Sequence, residues 1–227
     1  MKVTKKIRKQ LVSNIDVLIF FFSILFFDYY FRSQLAFTTT NSRLIFVNIF
    51  IGLFLSSFLF LLGKKTRLVI GSLILLILSL LCFCQNLHYN YFTTFFSFSK
   101  ASILKEFFQV KNEATGKITL DLFIYFIPVI LFILSNCIKG KQIKYKPIIK
   151  ISSFVFISIL STVCLILTFS NYPNASKKSE SDAYLYETLY NKVRAVERLG
   201  LYSYTIKDAQ LTLSNKVSNA DEEKALI

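Results

Sequence analysis

Five long apolar runs restrict this chain to one kind of fold: Leu11–Phe31, Leu44–Leu62, Leu68–Leu87, Leu120–Ile138 and Ile148–Phe169. Each holds roughly 19 to 22 residues, enough for a helix to cross a hydrocarbon core about 30 Å thick. Lipid offers the backbone no hydrogen-bond partners, so a spanning segment closes its own bonds as a helix or pairs within a closed barrel. None of the runs alternates polar and apolar residues as a barrel strand does, so all five read as helices. The expected fold is therefore an all-α membrane protein. With 54% of its 227 residues hydrophobic, the chain is too apolar for an ordinary soluble domain. Lys2, Lys5, Lys6, Arg8 and Lys9 precede the first run as they would in a signal peptide. That run exceeds the usual h-region and has no small-residue cleavage site after it, so it reads as an uncleaved first span.

The basic residues between the runs set the expected orientation. Lys2, Lys5, Lys6, Arg8, Lys9, Lys64, Lys65, Arg67, Lys139, Lys141, Lys144, Lys146 and Lys150 fall on one side of a five-span arrangement. They outnumber Arg32, Arg43, Lys100, Lys105, Lys111 and Lys117 on the other. The excess of positive charge belongs to the cytoplasm, which places the N-terminus inside and residues 170–227 outside. The chain so divides into a five-helix transmembrane domain, residues 1–169, and an extracellular helical tail, residues 170–227. The net charge of +14 follows from the same clusters, which meet anionic headgroups at the ends of spans. Acidic and basic residues balance in the tail, so a nucleic-acid partner is not expected.

The stretch from His88 to Phe108 is too aromatic for a simple loop and too charged for a span, with Lys100, Lys105 and Glu106 in it. It reads as an interfacial segment lying on the outer face. Asp28, Arg32, His88, Tyr91, Phe92, Phe95 and Lys100 are the candidates for facing lipid or its headgroups. Asp28 and Arg32 are spaced to pair along one helix face among the aromatic residues that end the first run. Asp16, near the inner end, is expected to reach back toward the N-terminal lysines. Asp121 opens the fourth run, where an acid complements the helix dipole, and Pro128 is expected to kink that helix.

In the tail, an amphipathic helix is expected from Asp182 to Leu199, with Leu185, Leu189, Val193, Val196 and Leu199 on one face and Gly200 ending it. Lys192, Arg194 and Arg198 lie on its opposite side and suit an interfacial helix. Thr205 and Asp208 have the spacing of a capping box for a second helix, with Ile206, Leu213 and Val217 as its apolar positions.

The sequence offers little chemistry of its own. Its one histidine stands at the end of a span, away from any serine or cysteine nucleophile. No His, Asp and Glu cluster has the spacing of metal ligands, and no Gly-rich loop suits a phosphate. Cys82, Cys84, Cys137 and Cys164 fall within or at the ends of apolar runs and read as small packing residues. No catalytic residue, metal ligand or cofactor is expected in these 227 residues.

Three patches carry a resemblance: NLHYNYFTTFFSFS after the third run, DLFIYFIPVILFIL in the fourth, and ERLGLYSYTIKDA in the tail. With five spans and a long aromatic outer loop, they resemble the membrane domain of the lipoteichoic acid synthases. These are sulfatase-like phosphoglycerol transferases of Gram-positive bacteria. The resemblance implies an extracellular catalytic domain after the tail. That domain would use a threonine nucleophile and Mn²⁺ or Mg²⁺ to take glycerol phosphate from phosphatidylglycerol for cell-wall polymer synthesis. None of those catalytic residues matches a position here, so the chain is expected to lack that domain and to be inactive alone. The implied partners are membrane lipids, phosphatidylglycerol among them, and the catalytic domain. The resemblance also implies a signal peptidase cut, for which Ser218 and Ala220 supply the small residues. The rival reading is a stand-alone multi-pass membrane protein of the cell membrane, acting as a transporter subunit or as a partner of a cell-envelope enzyme.

Overall fold

The computed structural model describes residues 14–37, 42–98, 119–137, 146–170 and 182–225. All regular structure among them is helical. The helices are α1 (Ile15–Gln34), α2 (Ser42–Leu61), α3 (Lys64–Phe92), a 3-10 segment (Leu120–Phe126) that runs into α4 (Ile127–Cys137), and α5 (Pro147–Ser170). The tail forms α6 (Asp182–Thr188), α7 (Lys192–Leu199) and α8 (Leu201–Ala225). Among the described residues, three helices are long and apolar enough to cross a membrane: Leu44–Leu61 in α2, Lys64–Phe92, which is α3, and Pro147–Cys164 in α5. The fourth run is a shorter apolar helix, Leu120–Ser135.

The helix that carries Asp16, Asp28 and Arg32 is the central one. α1 packs against α2, α3 and α4, while α5 rests on the far side of α2. Phe20, Ile24, Phe27 and Phe31 lose all exposure along the inward face of α1. Leu75 and Cys82 of α3, Tyr125 and Phe132 join the same core. The outward faces of α3 and α5 stay apolar: Val69, Ile77, Ile148 and Phe156 are each more than half exposed, as expected where lipid replaces water as the neighbour. α3 and α4 approach closely at Gly71, where an added Cβ would stand 2.5 Å from Cζ of Phe132.

One end of the bundle is closed by a buried ion pair. Arg67 Nη1 donates to both carboxylate oxygens of Asp16, at 2.9 and 3.2 Å, its Nε to the carbonyl of Leu59 and its Nη2 to that of Leu62. Asp16 is thus bound to α3; the N-terminal lysines it was expected to reach lie outside the described residues. The guanidinium also bonds carbonyls at the end of α2, the Leu59 oxygen being shared with the Leu62 N–H.

Pro128 acts differently from a mid-helix kink. The fourth run begins as a 3-10 helix and becomes α-helical only at Ile127, so Pro128 sits in the first turn of α4, where its missing N–H is tolerated. Tyr125 O, which a continued 3-10 ladder would pair with that absent N–H, accepts from Ser79 Oγ at 2.8 Å.

The tail departs furthest from its sequence reading. The single helix expected over Asp182–Leu199 is broken at Leu189, whose φ is +47°, and restarts after Asn191, which caps α7 by accepting from the Arg194 N–H. The next helix starts at Leu201, directly after Gly200, and not at a Thr205 cap. Thr205 is inside α8 and donates to Leu201 O. Ile206 and Leu213 are 60% and 65% exposed, whereas Tyr202, Tyr204 and Asp208 are buried. The buried face of α8 is therefore led by Tyr202, Tyr204 and Asp208 beside Leu201, and not by Ile206 and Leu213.

Candidate functional site at the tail end of the bundle

α3 ends with Thr93 in the left-handed region, its N–H bonded to Tyr89 O at 2.8 Å. The chain then folds back, and residues 93–98 lie between the end of α3 and the tail. Gln85 holds this segment through both sides of its amide: Nε2 donates to Phe96 O at 3.0 Å, and Oε1 accepts from the Phe96 N–H at 2.9 Å. His88 donates from Nδ1 to Thr94 O at 2.7 Å. The carbonyl can only accept, so the proton is on that nitrogen.

The tail fastens the segment from above. Tyr204 Oη donates to Phe96 O, and the Asp208 carboxylate accepts from Ser97 Oγ and from the Phe98 N–H. Phe95 is the plug between them, with no exposure, stacked on Tyr89 and in ring contact with Phe31, Phe37 and Tyr204. A buried aromatic of this size contributes about 2–3 kcal/mol by area removed from solvent.

A second fastening joins the tail to α1. Tyr202 Oη donates to Ile24 O at 2.8 Å, and Arg32 Nη1 donates to Glu197 O at 3.1 Å. Asp28 accepts from Asn48 Nδ2 at 2.7 Å, which ties α1 to α2 at the same point. Arg32 stands close enough to Asp28 for their charges to interact. The Leu201 N–H approaches this carboxylate without full hydrogen-bond geometry, so among the described residues Asp28 Oδ1 has no hydrogen-bond partner of its own. Gly200 covers this spot at φ +85°, where an added Cβ would meet Leu44 Cδ2 at 3.1 Å. Both conditions call for glycine. Burial raises the phenol of Tyr202. Burial likewise raises Tyr204, helped by Asp208. Both remain neutral donors.

A family model described as the lipoteichoic acid synthase N-terminal domain matches residues 1–221. The chain belongs to that family. No curated protein and no solved structure matches it. The match covers the bundle, the aromatic fold-back and most of the tail, so this lipoteichoic acid synthase N-terminal domain includes the docked helices α6 to α8.

The residues expected to face headgroups separate into two groups. Asp28, Arg32 and Phe95 are 4%, 7% and 0% exposed. They are held inside the synthase domain by the tail, because docking α7 and α8 covers a surface that a helix wheel alone leaves open. Phe92 is 41% exposed; Tyr91 and His88 are half-buried beside it. Lys100 lies outside the described residues. Of the tail cations, Arg198 pairs with Asp182 at 2.9 Å and so joins α7 to α6. Lys192 and Arg194 stand in the first turn of α7. Ser218 and Ala220 lie within α8.

Sequence reasoning missed Gln85, Asn48, Tyr202 and Tyr204. The signal for the first two was present, since an amide within an apolar run requires a partner. Among the described residues, no three of His, Cys, Asp and Glu come together as a metal site.

Proposed function

We propose that this chain is the membrane domain of a lipoteichoic-acid-synthase-like phosphoglycerol transferase, with five spans, the N-terminus in the cytoplasm and the tail outside. Its role is to hold an extracellular sulfatase-like catalytic domain at the outer leaflet, where phosphatidylglycerol is available. The docked tail carries this reading: α7 and α8 are joined to α1 and to the aromatic fold-back by Tyr202, Tyr204, Arg32 and Asp208. A tether fixed in this way sets the height and direction of whatever follows it, which a loose linker cannot do. The Mn²⁺ or Mg²⁺ of the reaction would belong to the catalytic domain, where it would polarise phosphoryl oxygens. The described residues of this chain offer no ligand set for it.

The test has two parts. Reading the gene downstream of Ile227 should reveal a sulfatase-like frame joined to it or adjacent; a stop codon with no such frame nearby would count against the anchoring role. In cells dependent on the complete protein, Tyr202→Phe combined with Asp208→Asn, which loosen the docked tail and keep its side-chain volumes, should reduce polymer synthesis at unchanged protein level. Undiminished polymer would remove the positioning role while leaving the anchor.

A further inference from the structure

A cleft of about 620 Å³ opens beside the docked tail, lined among others by His88, Phe92, Phe96, Tyr190, Asn191 and Lys192. It is formed where the fold-back of α3 meets the break between α6 and α7. Its two walls differ in chemistry. The α3 side presents the His88 ring, in contact with Phe92 at 4.7 Å and Phe96 at 5.9 Å between centroids. The tail side presents the Lys192 ammonium, close enough to His88 for their charges to interact. With Nδ1 committed to Thr94 O, His88 has the other ring nitrogen to offer, an acceptor in the neutral ring. The rim is apolar and exposed: Phe92 and Tyr190 are 41% and 50% accessible.

We propose that this cleft binds the headgroup of an anionic phospholipid, with Lys192 against the phosphate and His88 accepting from a headgroup hydroxyl. The aromatic rim then lies at the depth of the glycerol and upper acyl chains, as aromatic residues do at membrane interfaces. The α7 N-terminus is not what recognises the phosphate, since Asn191 already takes the Arg194 N–H. A free phosphate would use the lysine but not the apolar rim, which is why a lipid is the occupant. The inference rests on this end of the bundle lying at a headgroup layer, but it requires no catalytic domain.

Binding is measured on the purified full chain in detergent, by displacement of an acyl-labelled phosphatidylglycerol. Unlabelled phosphatidylglycerol should compete, phosphatidylcholine should compete at least about tenfold less well, and phosphatidylmethanol, which keeps the charge but lacks hydroxyls, should fall between them. Soluble glycerol phosphate should compete weakly. Lys192→Gln should weaken phosphatidylglycerol about tenfold, as expected for one charge-assisted contact. Lys207→Gln, on the neighbouring helix with its ammonium over the Tyr186 ring, should not. Equal competition by phosphatidylcholine, or wild-type affinity in Lys192→Gln, would overturn the site. Glycerol phosphate competing as well as the lipid would overturn the lipid as occupant, and phosphatidylmethanol matching phosphatidylglycerol would overturn the role of His88. Circular dichroism of each variant separates lost binding from lost folding. Failure here leaves the anchoring role standing, because that role is read from the downstream frame and from polymer synthesis.

Discussion

The phenol of Tyr202, on the first turn of α8, donates at 2.8 Å to the carbonyl of Ile24 in the middle of α1. A residue of the tail thus reaches into the apolar bundle and finds there a backbone oxygen that accepts from its phenol. Tyr202→Phe keeps the ring and removes that bond, and is expected to cost about 1 kcal/mol. Tyr202→Ala also leaves a cavity and is expected to cost about 3–5 kcal/mol. Thermal unfolding in detergent, followed by circular dichroism, should rank them in that order.

Asp208 holds the fold-back through Ser97 and the Phe98 N–H. Asp208→Ala removes a carboxylate that accepts both, and bonds to charged groups contribute about 1.5–3 kcal/mol each. Amide hydrogen exchange at Phe98 should rise by about tenfold or more, while exchange in the middle of α3 stays unchanged. Uniform acceleration across the chain would mean global destabilisation in place of a released segment.

Gly200 joins α7 to α8 at a positive φ and in contact with Leu44. Gly200→Ala is expected to destabilise docking by about 1–2 kcal/mol, because the left-handed backbone is strained for alanine and the Cβ presses on Leu44. Limited proteolysis should then cut between α7 and α8 faster than in the wild type. Gly63, where an added Cβ meets nothing within 4 Å, is the control that should tolerate the same change.

At the opposite end, Arg67→Met alone leaves Asp16 buried without its partner and should cost about 3–5 kcal/mol. Pairing it with Asp16→Leu removes both charges, so the double variant should regain most of that loss. A double variant no better than the single one would show that the carbonyl bonds of Arg67 to Leu59 and Leu62 matter more than the ion pair.

The tail should also be sensitive to alkali. Burial holds the phenols of Tyr202 and Tyr204 above their ordinary value of 10.0. A proton bound more tightly in the folded state stabilises it fully below the unfolded pKa, and that contribution is lost as pH rises through the folded one. Unfolding midpoints should therefore fall above about pH 10, and Tyr202→Phe with Tyr204→Phe should flatten that fall. Tyrosinate absorbance measured alongside should rise late for these two residues.

The apolar runs alone dictated a helical membrane protein, because lipid leaves the backbone no other way to satisfy itself, and the three patches carried the family. They also marked the aromatic stretch after His88 as unusual. What the sequence could not provide was the partner of each polar group. Asp28 and Arg32 look like surface anchors on a helix wheel, and the Thr205–Asp208 spacing looks like a cap. Only the tertiary structure turns them inward, because the helix that covers them is far along the chain and docks by aromatic rings and backbone carbonyls. Periodicity records which face of a helix is apolar. It does not record that Tyr202, Tyr204 and Asp208 have partners waiting at Ile24, Phe96 and Ser97, and those pairings decide which face of the tail is buried.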